Sequence, residues 1–179
     1  MRENDGHDIE LTAQDLRVVA RYAAESAAET LAIFEASDPD DRRPREALEA
    51  AWTFVEGAQR TKLQRVTALA ANQAGREATT EAAQNAARAA GHAAAAAYLH
   101  PLAKSTQVGH ILGAAACAAR AAELAAGGDR SVGAESIEQA RRRATPALVA
   151  VLRRYPAAPS SGNRVAELMS ALDTSLRSL

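Results

Sequence analysis

AARAAGHAAAAAYLHPLAKSTQVGHILGAAACAARAAELAA, residues 86–126, is the stretch on which the fold turns. Two alanine-rich runs flank HPLAKSTQ at 100–107, where Pro101 prevents the first run from continuing as helix. Alanine has the highest helix propensity because it loses no side-chain entropy on ordering. The stretch therefore reads as a helical hairpin. One helix starts from a cap at Thr79 or Thr80 and runs to about Leu99; the second runs to about Ala126 and stops at Gly127 and Gly128. The second helix opens with Gly109 and Gly113 four apart, followed on the same ridge by Cys117 and Ala121. So low a surface lets another backbone approach closely, and it is expected to seat another helix of the same domain.

Upstream of the hairpin, Thr12 in LTAQDL can cap a helix, with Asp15 answering from the third helical position and Leu11 stapling to Leu16. The apolar series Leu16, Val19, Ala20, Ala23, Ala27, Leu31, Phe34 then holds helical spacing until SDPDDRRP, while Arg17, Arg21, Glu25 and Glu29 form an opposite, self-complementary stripe. Pro44 fits the first turn of a second helix whose stripe Ala47, Leu48, Ala51, Trp52, Val55 closes before Gly57. A third helix from about Thr61 places Leu63, Val66, Ala70 and Ala74 inward. Its remainder, Arg60, Lys62, Arg65, Asn72, Gln73 and Arg76, is unusually polar and faces either water or a site.

Downstream, Ser131 can cap one helix and Thr145-Pro146 can open another, with Leu148, Val151, Leu152 and Tyr155 inward. PAAPSSGN at 156–163 reads as a linker. Beyond it Val165, Leu168, Met169, Leu172, Leu176 and Leu179 make an amphipathic stripe that either docks on its own bundle, the favoured reading, or mediates a homodimer. No strand-like alternation and no fixed repeat period occur. The expectation is all-α: a single-domain, Ala-rich antiparallel helical bundle of about seven helices. Its parts are a flexible N-terminus at 1–10, a helical domain at 11–155, the linker at 156–163 and a C-terminal amphipathic helix at 164–179.

Composition narrows the function classes. About a quarter of the 179 residues are Ala and only 3% are aromatic, so small side chains must do the packing. With 21 basic against 22 acidic residues the chain is no polycation, and nucleic acid is not an expected partner. The longest apolar stretches, 93–99 and 111–119, fall short of the roughly 18 residues a membrane span needs. MRENDGHDIE carries no apolar signal region, and the lone Cys117 sits in an apolar run where it behaves as a small buried hydrophobe. A cytoplasmic location and no membrane partner follow as expectations.

Chemistry has one place to gather. His92, His100 and His110 straddle the hairpin, with Tyr98 and Lys104 at the same turn, and Gln84, Arg88 and His92 line one helix edge at i, i+4, i+8. Neutral imidazoles brought together can hold a metal or shuttle a proton, but no HExxH, paired Cys or carboxylate spacing accompanies them, so neither a metal nor a cofactor is assigned. The plainer reading is structural: His92 in an interhelical network with Arg88 and Gln84, and His100 and His110 satisfying carbonyls at the turn. Trp52 is expected as a core anchor, with a ligand groove as the alternative. Cys117, Ser105 and Ser131 lack any triad or elbow context, and no glycine pattern cradles phosphate.

The quoted stretch resembles the immunity-five-like family, small all-α immunity proteins of bacteria in which an ARAAGxA helix precedes a histidine-bearing HxLGAA helix. The residues that carry the likeness are Arg88, Gly91 and His92, then His110, Leu112, Gly113 and Ala114, and the likeness extends more loosely over about 11–155. The HPLAKSTQV stretch between the helices departs from the plainer pattern. The resemblance implies an all-α fold and a protein that protects a cell by binding and blocking a cognate toxin. Read together, residues and resemblance point to a cytoplasmic self-resistance protein that blocks a toxin protein or sequesters a toxic small molecule. The alternatives are a small enzyme acting on a reactive metabolite through the His/Lys cluster, and a structural dimerisation module. Candidate binding residues are Gln84, Arg88, His92, Tyr98, His100, Lys104, His110 and Trp52.

Overall fold

The computed structural model describes residues 8–160 and 162–179. Among them the chain forms nine α-helices: α1 Ala13–Ala28, α2 Leu31–Ser37, α3 Arg43–Val55, α4 Lys62–Glu77, α5 Glu81–Ala95, α6 Val108–Ala125, α7 Arg130–Arg143, α8 Pro146–Leu152 and α9 Arg164–Arg177. Short 3-10 turns at Ala96–Tyr98 and Ser105–Gln107 bracket the bend between α5 and α6. Every named element is helical, as the composition requires. The helix count exceeds the expected seven partly because the first helix breaks in two. Thr30, with ψ near 2°, leaves helical geometry, its N–H donates to Ala27 O at 3.2 Å, and α2 restarts at Leu31. The expected stripe nevertheless survives the break, since Val19, Ala20, Ala23, Ala27, Leu31 and Phe34 are all buried.

The α5–α6 hairpin stands at the centre. Helices α1, α2, α3 and α4 pack on α5, while α1, α7 and α9 pack on α6. Burial on so many sides explains why α6 is apolar nearly all round: Val108, Ile111, Leu112, the alanines from Ala114 to Ala119 and Ala121 are all inside. Alanine gains little area per residue at about 25 cal/mol per Å², so stability has to come from close helix approach and a few bulky anchors. The anchors are Phe34, Ile111, Leu112, Leu148, Leu152, Leu172 and Leu176, each nearly inaccessible.

Thr12 and Asp15 form the expected capping box at 3.0 and 3.1 Å, and Thr61 forms a second one with Gln64. The Arg17–Glu29 stripe is not self-complementary, however. Arg17 donates to Gly57 O and lies over Phe54, Arg21 lies over Trp52, and Glu29 pairs with Arg143 of α7. Those charges tie α1 to other helices instead of to itself.

Helix α4 keeps Ala74 inside as expected but is rotated from the rest of its expected face. Leu63, Val66 and Leu69 are 46%, 56% and 64% exposed, while Gln64, Ala68, Ala71, Ala74 and Gly75 are buried. The reason is clearance: Ala68, Ala71, Ala74 and Gly75 let α4 come close to its neighbours, Gly91 of α5 makes room for Asn72, and Gln64 is buried because its Nε2 donates to Ala50 O of α3 at 3.1 Å. The bulkier apolar residues are left outside.

At the N-terminus the expected flexible segment falls largely on residues 1–7, which lie outside the described residues. The next positions are held: the Ile9 N–H donates to Pro101 O at 2.7 Å, Asp8 pairs with Leu102, and Arg154 donates to Glu10 O. At the other end Leu168, Leu172 and Leu176 of α9 are buried within the same chain. The segment before α9 is pinned as well, since the Ala158 N–H donates to Asp173 and Arg177 donates to Tyr155 O and Pro156 O. Glu123, wholly buried, fastens α6 to α9 through Arg164 at 2.8 Å and takes a second guanidinium from Arg120 at 2.6 Å. Gly133 lets α7 pass directly over that carboxylate.

Candidate functional site

The bend after α5 opens a cleft of about 250 Å³ lined by Arg65, Ala68, Leu69, Asn72, Ala95, Tyr98, His100 and His110. Three elements build it. Helix α4 gives one wall, the 3-10 turn at Ala96–Tyr98 gives the floor, and the first turn of α6 brings His110 back towards α5. Gly91 makes the close wall feasible, because a Cβ there would lie 2.8 Å from Asn72 Oδ1 and 3.2 Å from Ala68 O.

His110 Nδ1 is 3.2 Å from Ala95 O. A carbonyl only accepts, so Nδ1 carries the hydrogen and Nε2 keeps its lone pair. Desolvation lowers the His110 pKa below the usual 6.5, the Ala95 carbonyl opposes that shift, and His100 adds to it. His110 is thus a neutral group at physiological pH. Tyr98 is fixed by its hydroxyl, which donates to Thr61 O at 2.6 Å, and its ring carries Arg60 at 4.9 Å and Arg65 at 6.0 Å. Arg60 also donates to Ala97 O, whereas the Arg65 guanidinium has no carboxylate partner among the described residues. His100 is exposed at the rim, its N–H donating to Gln107 Oε1 and its carbonyl accepting from Tyr155.

The other residues singled out from sequence go elsewhere. The His92 ring lies between α5 and α6 against Gly113, where an added Cβ would meet Nδ1 at 2.7 Å. Part of the residue remains accessible, but the ring is desolvated there, which pushes its pKa down to about 4 with help from His110 and Arg88. Gln84 and Arg88 line a different, smaller groove of about 140 Å³ beside Glu81, Arg120 and Arg164. Lys104 is exposed on the bend outside the cleft, and Trp52 is half-buried under Arg21 at 5.7 Å. Gly113 therefore seats His92 of α5, whereas Gly109, its expected companion, faces open space. Cys117 is buried and its thiol is raised to about 12 by desolvation, which removes it as a nucleophile.

Among the described residues no three His, Cys, Asp or Glu side chains stand close enough to share a metal ion, so the histidines do not form a ligand set. A crevice of about 130 Å³ lined by Arg17, Arg21, Glu25 and Arg143 is held by interactions already described, Arg17 with Gly57 O and Arg143 with Glu29. The α4–α5 cleft differs in keeping an unpaired cation, a free imidazole nitrogen and an exposed leucine side by side. Arg65, Leu69 and Asn72 were not singled out as site residues from sequence. Their signal was the excess of polar residues on the third expected helix, two of which, Arg65 and Asn72, turn out to face the cleft.

No helix among the described residues is long and apolar enough to cross a membrane. Comparison with characterised proteins and with solved structures finds no match to either. The profile of the Imm-5 like putative immunity protein family matches residues 10–147, which run from just before the α1 capping box into α8, and the chain belongs to that family.

Proposed function

We propose that the chain is an immunity protein acting inside the cell by stoichiometric occlusion of a toxin, and that the outward face of α4 with its adjoining cleft is the surface it uses. One observation carries the reading: Leu63, Val66 and Leu69 stand exposed in a row beside the cleft, in a bundle that hides almost every other large apolar side chain. An exposed apolar row rimmed by Arg60, Lys62 and Arg65 suits a partner interface, where a few desolvated apolar and arginine side chains supply most of the affinity. Among the candidates from sequence, Tyr98, His100 and His110 belong to this surface. Gln84, Arg88, His92, Lys104 and Trp52 are assigned supporting roles. A second reading, sequestration of a toxic small molecule, is favoured by the cleft itself, although about 250 Å³ is small for a drug-sized ligand.

The test uses Val66→Asp, which places a charge at the centre of the row without touching the interior. In a host whose own copy is deleted, the wild-type chain should restore growth under toxin challenge and co-purify with the toxin at one to one. The variant should fold and fail at both. Full protection by Val66→Asp removes α4 from the interface. Protection by trace amounts of chain, with loss of the toxin or metabolite and no complex, supports the enzyme instead. A dimer of the chain alone that Val66→Asp dissociates makes the α4 row a self-association face instead, which differs from a dimerisation module built on residues 164–179.

A further inference from the structure

We infer that the α4–α5 cleft takes a carboxylate carried on an apolar or aromatic group of about one ring in size. This deepens the occlusion reading, since the cleft lies on the face assigned there to the partner, but it rests on the cleft's own chemistry. Ala68, Leu69, Ala95 and the Tyr98 ring provide apolar walls, and about 250 Å³ accommodates a single group rather than a whole ligand. Donors stand at one side. Arg65 is the permanent cation of the lining, and it has no carboxylate partner among the described residues. The Asn72 amide, with Oδ1 turned towards Gly91, makes no hydrogen bond from Nδ2 within the described protein. No acidic side chain lines the cleft, and the first carboxylate along α4, Glu77, is already held by Arg43 and Gln73. A guanidinium on one rim of an apolar slot accepts a carboxylate in two-point contact while the slot removes the attached group from water.

Two sources offer that chemistry: a partner chain, through its terminal carboxylate beside an apolar residue, or a free aromatic acid. The probes are phenylacetate and its neutral counterpart phenylacetamide, titrated into the full chain while backbone amide and His110 ring signals are followed by NMR. The inference expects saturable shifts confined to residues 65–72 and 95–110 with phenylacetate, at least tenfold weaker binding of phenylacetamide, and a comparable loss in Arg65→Gln. Arg65 is exposed, so that variant should retain the fold. No saturable shift, equal binding of acid and amide, or unchanged binding in Arg65→Gln overturns it. Acetyl-Gly-Phe with a free carboxylate, set against its C-terminal amide, separates the sources. Binding of the free-acid peptide at least as tight as phenylacetate assigns the group to a chain end, and exclusion of the peptide assigns it to a free acid. If phenylacetate does not bind but Val66→Asp abolishes protection, the carboxylate falls and the docking face stands. If phenylacetate binds and Val66→Asp protects fully, the reverse holds.

Discussion

The residues that gave the quoted stretch its family likeness are explained by contacts of a few ångströms. Gly91 clears Asn72 and the Ala68 carbonyl, Gly113 clears the His92 ring, and His110 closes onto Ala95 O. Replacing Gly91 by Ala should therefore destabilise the protein by about 1–3 kcal/mol, despite the better helix propensity of alanine, because one of the opposing atoms is backbone and cannot rotate away. Thermal unfolding checks this, with Gly109→Ala as the control, since nothing lies near a Cβ there and that variant should be neutral or better. His92 yields a pH prediction. Its folded pKa of about 4 lies below the ordinary 6.5, so between those values the unfolded chain binds the proton that the folded chain refuses. The stability contributed is complete above about pH 6.5 and is lost as pH falls towards 4, by up to about 3 kcal/mol. Urea titrations at pH 7.5, 5.5 and 4.5 should show that decline in the wild type and a shallower one in His92→Gln. The sequence reading had His110 meeting a carbonyl at the turn and Gly113 seating another helix, and both hold; that the ring against Gly113 is His92 was not legible, because it depends on how α5 and α6 are rotated.

At the scale of the helix, α4 marks where pattern reading stopped working. The sequence reading placed Leu63 and Val66 inside on the ordinary rule that larger apolar side chains are buried. In a chain packed through alanine, the face that comes closest to its neighbour is the one with the least on it, and Ala68, Ala71 and Gly75 take that place. Two substitutions separate these rotations of the helix. Val66→Ala should change stability by less than about 0.5 kcal/mol, and Ala71→Leu, at a site with no accessible surface, should cost about 1–3 kcal/mol or more. The opposite ranking in chemical denaturation would restore the expected face. The buried stripe of the first helix, by contrast, was legible from Val19 to Phe34, because its large residues and its close-packed face coincide; the break at Thr30 and the partners of its charged face were not. Glu123 is the clearest inter-element fastening. Glu123→Gln removes the charge between Arg120 and Arg164, two cations that remain about one-fifth exposed, and should lower stability by about 2–3 kcal/mol. A melting temperature unchanged in that variant would mean the pair contributes nothing.

Across the whole molecule, the all-α class and the central hairpin could be read from residues 86–126 because composition and the Pro101 break act locally. The site was legible only in part. Tyr98, His100 and His110 are near one another in sequence and meet at the bend, but Arg65, Leu69 and Asn72 come from a helix more than twenty residues away, and its rotation was misread. A bundle whose neighbours touch through small side chains buries few bulky groups per helix, which leaves the exposed row on α4 as the least expected feature of its surface. That row, joined to a cationic cleft, is the basis for reading the chain as a binder that works one to one. The direct measurement is a titration of purified chain against a fixed amount of the toxin that the proposed function assigns to it, with residual toxicity as the readout. Occlusion predicts a linear fall that ends at one chain per toxin, and a much shallower or absent fall with Val66→Asp. Complete protection far below one to one, or an unchanged curve with Val66→Asp, would contradict it.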